Sequence, residues 1–598
     1  MKKLLFRFFL LIFIVGGLAL TFFSYFGLET DKFNTLIKNK ANESHQQVKL
    51  EFENTKIYLN LGELNLAVKL QKPIIMIKNK EIVLSTLNLY LPLRSFITSD
   101  FLLEKAQIAF FKNDIKDLTK VSSLYLPRII NKQLKKIFVK GNLEGELNIP
   151  FKANGEMDKD YEFSGKIIDA TINLPKNFLI TNLTTEISFG TASEKGDFTA
   201  TIKKGSLLDL RLTGSKINLN FKENKTKVRS LLHTSGEVNF EKIRKISSLL
   251  NINIDSFKDI KGNIDLKTKI DFDFNKKFKI KNLSYSLTGD IPNCKINTAE
   301  KKIIKEYLPE YNSEIFVKNT NIKLFNSKSD LTFEAEGMIK VKDNFDTFKI
   351  KEKYNYKDKS FDINGTLGLT NSVVKVSKLN YSKNSLEESE IDFDISFTLK
   401  KKYHIKKLNL LAGKNKILLS NIILNKNFEV DDFKKLEVKT FTNGINNNDF
   451  SINKNKQIII SGKVFDAQYL LKSLYTKNEK KMFSKNFNSK IKINFERTIT
   501  GTNDDVSNFA MVANISRGSY NKLNLKGNFS NDELIEMSIY QVDDNKKTLQ
   551  VISDRARPFI KNFDFIKGFE GGKLEYESII SKNISNSNLI ITDFKVSK

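Results

Sequence analysis

The stretch Ile264-Asp265-Leu266-Lys267-Thr268-Lys269-Ile270-Asp271-Phe272-Asp273-Phe274 decides the fold class. Ile264, Leu266, Thr268, Ile270, Phe272 and Phe274 fall on one parity, and the other parity carries only Asp and Lys. Successive side chains of a strand point to opposite faces, so this is one strand of about eleven residues with a dry and a wet face, where five or six residues is usual. Ile391, Phe393, Ile395, Phe397 and Leu399 repeat the device against Asp392, Asp394, Ser396 and Thr398. Shorter copies occur at Leu64, Leu66, Val68 and Leu70, at Leu87, Leu89 and Leu91, at Leu208, Leu210 and Leu212, at Ile217, Leu219 and Phe221, and at Ile491, Ile493 and Phe495. Each is the pattern of an antiparallel strand wetted on one side.

Outward from these strands a second rhythm is visible. A polar residue and a glycine precede many of them: Lys140-Gly141, Ser235-Gly236, Lys261-Gly262, Glu336-Gly337, Asn364-Gly365, Ser461-Gly462 and Lys526-Gly527. A glycine opening each strand eases a turn or bulge, so the reading is a strongly twisted antiparallel structure, with no strict repeat period. Short amphipathic helices interrupt it. They are expected after Pro127 (Ile129, Ile130, Leu134, Ile137, Phe138), after Asn239 (Phe240 to Leu250), at Ile303 to Leu308, after Asp466 (Leu470, Leu471, Leu474) and after Pro558 (Phe559, Phe563, Ile566). Thr442 to Asn448 and Gly501 to Asn508 read as surface loops.

Composition bounds the class. Only 8 of 598 residues are Pro and 27 are Gly, against about 5% and 7% usually, which excludes collagen-like and linker-rich chains. Lys and Arg total 98 against 69 Asp and Glu, a formal charge of +29, yet 40% of residues are hydrophobic, too many for a disordered chain. At roughly 150 residues per domain the length suggests about four domains, or one elongated β unit.

Lys2, Lys3 and Arg7 precede an uncharged run of 21 residues from Phe8 to Leu28. About 20 residues cross the hydrocarbon of a bilayer, and a cleaved signal peptide would have a shorter core with a small-x-small site, so the run reads as an uncleaved anchor. Cations on its amino side and Glu29 on the other leave the first seven residues in the cytoplasm and export the body. Export removes nucleic acid as the partner of the positive charge. The lysines solvate outer faces, and anionic lipid headgroups are a secondary partner.

The scan for chemistry finds little material. Cys294 is the single cysteine, and His45, His233 and His404 lie far apart, so no metal cluster, cofactor motif or catalytic triad is legible. Asp431-Asp432 and Asp504-Asp505 read as solvated acids of polar loops, and Cys294 as a small buried residue. The dry faces remain to be explained. Either they pack against a second sheet as a sandwich core or they line an open groove.

A resemblance bears on that choice. Thr30-Asp31-Lys32-Phe33 before a short helix, then Tyr58-Leu59-Asn60-Leu61 and alternating strands to Leu103, look like the amino-terminal region of the AsmA-like proteins of Gram-negative envelopes. Ser461-Gly462-Lys463-Val464-Phe465-Asp466-Ala467 followed by Leu470-Leu471 is similar to a motif of the family's large YhdP- and TamB-type branch. Val551 to Asp554, the Phe559 helix and Gly568-Phe569-Glu570-Gly571-Gly572-Lys573-Leu574 look like its closing segment. Gly462, Phe465, Asp466, Ala467, Asp554, Gly571 and Gly572 carry this match. Arg555-Ala556-Arg557 departs from the family's small residues, and the family pattern continues beyond a strand like Ile590 to Val596, so either the far end is supplied otherwise or the chain is truncated.

The resemblance implies a mostly β bridge-like lipid-transfer protein: an elongated twisted antiparallel β-groove, taco-like in section, with one N-terminal transmembrane helix. Residues 1–7 would be a cytoplasmic tail, 8–28 the anchor, 29–120 an N-terminal AsmA-like region, 121–445 the groove with short helices, and 446–598 the AsmA-like C-terminal region. Ile264, Leu266, Ile270, Phe272, Phe274, Ile391, Phe393, Ile395, Phe397 and Leu399 become candidates to line the groove around phospholipid acyl chains. The implied role is phospholipid conduction between inner and outer membrane, with a periplasmic body and no enzyme activity, cofactor or metal. The alternatives are a scaffold for outer-membrane β-barrel proteins and an envelope enzyme.

Overall fold

The computed structural model describes residues 2–44, 48–77, 80–93, 102–122, 135–158, 160–174, 178–190, 197–222, 225–250, 252, 254–275, 279–299, 302–340, 343–398, 402–473, 484, 486–529, 533–543, 546–560, 569–581 and 584–596. The protein is mostly β, 68% strand against 13% helix, with a large mixed sheet of about 34 strands. The strand Phe257–Asn275 contains the whole alternating stretch from Ile264 to Phe274.

Among the described residues one helix, Lys2–Tyr25, is long and apolar enough to cross a membrane, an 18-residue window of it reaching a mean hydropathy of 2.4. It stops short of the expected Leu28. Gly27 takes a φ of 67°, and Leu28 instead begins the strand Leu28–Thr30, which pairs with Thr55–Asn60. That backbone conformation favours glycine and ends the helix.

The chain divides into two units, Met1–Val238 with Asn263–Thr288, and Asn239–Gly262 with Gly289–Lys598. In the first, antiparallel strands follow one another from Lys80–Pro92 to Lys225–Asn239. Its cores are local. Leu70, Leu84 and Leu87 belong to one, and Ile167, Ala170, Ile202 and Leu212 to another.

Among the described residues of the second unit one pairing is parallel, Ile458–Asp466 beside Ser489–Ile499. Parallel neighbours need a crossover of a dozen or more residues, and the chain beginning with the helix Gln468–Ser473 supplies it. The segment 369–388, between the strands Ser360–Gly368 and Ser389–Thr398, forms a strap. Its Leu369, Val374 and Tyr381 are buried against Leu410, Ile417, Val438 and Phe450. Lys383 is buried within the strap, where its Nζ donates to the carbonyls of Leu369, Thr370 and Ser372 at 2.7, 3.2 and 2.7 Å. Burial pulls its pKa below that of an ordinary lysine.

The glycines do not open strands as expected. Gly141, Gly236, Gly262, Gly337, Gly365, Gly462 and Gly527 lie inside them. At Gly141, φ is 141° and a Cβ would lie 2.6 Å from that of Ala170, beside a bulge. Close approach of a neighbouring strand, rather than a turn, selects glycine there. The Asn-rich stretch after Thr442 is likewise a hairpin: Asn443 and Gly444 turn with positive φ, and Asn447 and Asn448 are buried in the next strand.

The helices Phe240–Leu250, Lys302–Tyr307 and Gln468–Ser473 fall where expected, and the Asn239 side chain caps the first through the Lys242 N–H at 3.0 Å. Residues 129, 130, 134, 474, 563 and 566 lie outside the described residues.

Candidate functional site

The dry face is best developed in the second unit. Across the strands Phe345–Asn355, Ser360–Gly368, Ser389–Thr398, Lys402–Ala412 and Asn415–Asn425 the register aligns whole rows. Ile363, Ile395, Ile405 and Ile422 make one, and Phe361, Phe397, Tyr403 and Leu424 the next. Ile391, Phe393, Ile395 and Phe397 are all half-buried, and Ile391 packs against the core under the strap. Leu399 lies outside the described residues.

The opposite face is an ionic lattice. Lys351 meets Glu334 at 2.7 Å, Lys349 meets Glu336 at 2.9 Å, Lys406 bridges Asp362 and Asp394 at 3.1 and 3.4 Å, and Lys407 pairs with Asp392. Exposed pairs are worth about 0–1 kcal/mol each, so they define which face is wet more than they hold the sheet.

An aromatic line crosses the strands at one end of the dry face. Phe361 lies 4.6 Å from Tyr354 and 4.9 Å from Phe397, Phe397 5.6 Å from Tyr403, and Tyr403 4.8 Å from Phe428. Of these only Phe397 was singled out from the sequence. Tyr354, Phe361 and Tyr403 sit in strands whose alternation is shorter or interrupted by a bulge, as between Asp394 and Ile395, and Phe428 sits in the turn after Asn415–Asn425.

At the other end the same face closes under the strap. Leu410 and Ile417 are 5% and 7% exposed there.

In the first unit Leu266 is buried, while Ile264, Ile270, Phe272 and Phe274 are half-buried. The rings of Phe272 and Phe274 are neighbours, 6.4 Å apart. The wet face departs from expectation at Asp273, which is buried and accepts from Asn282 Nδ2 at 3.0 Å and from Lys225 at 3.4 Å. The Asn282 amide, with the ammonium of Lys225, holds its carboxyl below the ordinary range. Asp271 faces Arg229 at 3.9 Å, and His233 Nε2 lies 2.6 Å from Asp265.

The motif residues Gly462, Phe465, Asp466 and Ala467 come together as a structural joint. Asp466 is 2% exposed, its Oδ2 accepting from Asn380 and Asn447 at 2.9 and 3.4 Å and its Oδ1 from the Gln468 N–H at 3.1 Å. It therefore ties the strap to the hairpin and starts the crossover helix. Phe465 stacks on Phe495 with centroids 5.0 Å apart, and the Ala467 N–H bonds Ile499 at 2.9 Å.

Asp554, Gly571 and Gly572 form a second joint. Asp554 Oδ2 accepts from the Leu534 N–H at 2.8 Å, and the Ala556 N–H reaches Gly572 O at 2.8 Å. The departing residue Arg555 pairs with Glu533 at 2.6 Å and with Asp504. Asp504 is consequently buried rather than solvated, while Asp505 pairs with Arg497 at 2.7 Å.

Cys294 is 8% exposed and packs with Ile260 and Val317, and burial pushes its thiol up to about 11. Among the described residues no group of His, Cys, Asp and Glu side chains could hold a metal ion. The arrangement offers apolar contact surface and ionic solvation. No family model, curated protein or solved structure matches the chain.

Proposed function

We propose that the chain is an AsmA-like lipid-transfer protein that carries phospholipid acyl chains along its dry faces, from the inner toward the outer membrane. Its support is one observation: in the second unit the apolar rows through Ile395 and Phe397 are half-buried where a sandwich core would be sealed, while charges crowd the other face. Soluble proteins rarely leave long apolar rows uncovered without a ligand or partner. An acyl chain in water exposes about 0.8 kcal/mol per CH₂, so a 16-carbon tail loses on the order of 12 kcal/mol on leaving a bilayer. An apolar row removes most of that cost with no covalent step. The helix Lys2–Tyr25 would anchor the protein in the inner membrane, with Lys2, Lys3 and Arg7 in the cytoplasm and the body in the periplasm.

The test is photo-crosslinking in cells. Crosslinkers at Phe272 and Phe397 are expected to capture diacyl lipid, and those at Asp271 and Asp394 little. Equal capture at both sets means surface adsorption, and none at either supports a closed core.

A second reading is a scaffold for outer-membrane β-barrel proteins. Among the described residues the strand Ile584–Val596 pairs on one side only, with Phe569–Ser581, and exposes Ile584, Ile590 and Phe594. Such an edge can add a strand from a partner. Loss of barrel assembly on mutating this edge, with lipid capture unchanged, would favour it.

A further inference from the structure

Glu352 interrupts the apolar face of the second unit. On the strand Phe345–Asn355 that face carries Asp346, Phe348, Ile350, Glu352 and Tyr354, and Glu352 stands opposite Phe333 on one neighbour and Ile363 on the other. Ile363, Ile395, Ile405 and Ile422 continue the row, so one carboxylate heads a line of four isoleucines. Asp346, the other acid on this strand face, accepts from the backbone N–H and side-chain amide of Asn371 at 3.1 Å. The Glu352 carboxylate has no hydrogen bond or ion pair among the described residues. The adjoining Lys351 and Lys353 project to the opposite face, where they meet Glu334 and Asp330 at 2.7 and 3.6 Å.

The flanking positions of the two neighbouring strands on this face are Leu331, Phe333 and Ala335, and Phe361, Ile363 and Gly365, none of them titratable. Tyr354 and Asp346 are the titratable groups on the strand's own face. Burial pushes the Glu352 carboxyl above the usual range, as a half-desolvated acid without a counterion requires.

An ordinary solvated glutamate is the competing explanation. A wet glutamate belongs on the charged face with Lys351 and Lys353, and strand parity places Glu352 on the other. This one points away from both, into the row.

We infer that Glu352 is the charge-compensation point of the acyl path: a hydrocarbon chain lying along the isoleucine row covers the carboxylate only as it takes up a proton from solvent, and returns the proton on leaving. The inference rests on the lipid-carrying reading and adds to it a named selective residue and a linkage. Covering the group removes its remaining water, which disfavours the charged form further. Occupancy therefore rises as pH falls through the raised pKa. Each unit of difference between the empty and covered states is worth about tenfold in occupancy.

The experiment uses the full chain in nanodiscs, a photo-crosslinker at Ile395, and phosphatidylglycerol vesicles, which carry no amine, between pH 5 and pH 8. Capture by the wild type is expected to fall several-fold, within that roughly tenfold-per-unit bound, as pH rises. Glu352→Gln, nearly isosteric, should be flat with pH, and Glu352→Leu flat and at or above the wild-type level at pH 5. Thermal melting of all three proteins checks that they fold alike, and the Gln variant decides the matter if Leu perturbs the fold. A wild type flat in pH, or a Gln variant retaining the wild-type slope, overturns the inference. So does capture from phosphatidylethanolamine vesicles alone at every pH, which would assign the compensating charge to the headgroup ammonium. Absence of lipid at Ile395 and at Phe397 at every pH would defeat the lipid-carrying reading itself, and this inference with it.

Discussion

Phe361 and Phe397 stand opposite each other on adjacent strands and stack with ring centroids 4.9 Å apart and planes 11° from parallel. Both rings are half-buried, whereas Phe487 in the second unit is 1% exposed. A sealed phenylalanine truncated to alanine costs about 3–5 kcal/mol, and a half-exposed one loses correspondingly less. Phe487→Ala should therefore cost about 3–5 kcal/mol and Phe397→Ala about 1–2 kcal/mol by denaturant unfolding. Equal costs would mean that the dry face is covered.

Phe397→Asp should separate transport from folding. An open row can hydrate the new carboxylate while empty, but hydrocarbon passing it meets a poorly solvated charge costing several kcal/mol. The variant is expected to accumulate normally and to fail complementation in cells lacking this protein and redundant relatives. Full complementation at normal protein level would exclude Phe397 from the path.

The helix Lys2–Tyr25, with its amino-side cations, predicts the topology. Protease added to spheroplasts should digest the body beyond Glu29 while the remainder stays in the membrane fraction. A full-length soluble body trimmed near Tyr25 would show a cleaved signal instead.

At Gly462 a Cβ would lie 2.2 Å from Asp449 O and 2.4 Å from Phe450 Cβ. Neither contact is the flexible end of a side chain, so Gly462→Ala must move a strand. It should destabilise by about 1–3 kcal/mol, read as a lower Tm. Asp466→Ala at the same joint strands the side-chain amide of Asn380, removes one acceptor of Asn447 and uncaps the helix Gln468–Ser473, at about 2–4 kcal/mol. Limited proteolysis should then cut within residues 369–388 before the rest of the second unit.

The Cys294 thiol, pushed up to about 11 by burial, should resist alkylation at pH 8 until the protein is unfolded. The folded state holds this proton more tightly than the unfolded one. Its contribution to stability is therefore complete below the ordinary thiol pKa and is lost as pH rises from there toward about 11. Alkylation as fast in the fold as in denaturant would show that the thiol is accessible.

Strand identity was legible from the sequence wherever alternation ran long, because side-chain parity is a local property of extended backbone. Ile264 to Phe274 and Ile391 to Phe397 both fall within strands for that reason. Asn239, Asp466 and Pro558 marked helix starts through equally local hydrogen bonding and φ preference.

What parity could not supply was partnership. Asp273 and Asp504 read as wet or solvated until Asn282, Lys225 and Arg555 arrived from elsewhere in the chain to bury them. Glu352 occupies an apolar slot in Phe348-Lys349-Ile350-Lys351-Glu352-Lys353-Tyr354, a signal that alternation could have raised. Only the register with Phe333 and Ile363 gave it an apolar setting.

The same limit explains the glycines, whose role depends on how closely the next strand approaches. The tertiary structure also decided where the dry face closes, at Leu410 and Ile417 under the strap, and where it stays half-open, at Phe361 and Phe397. Burial is a sum over neighbours distant in sequence, whereas the direction in which a side chain points is set by its own backbone.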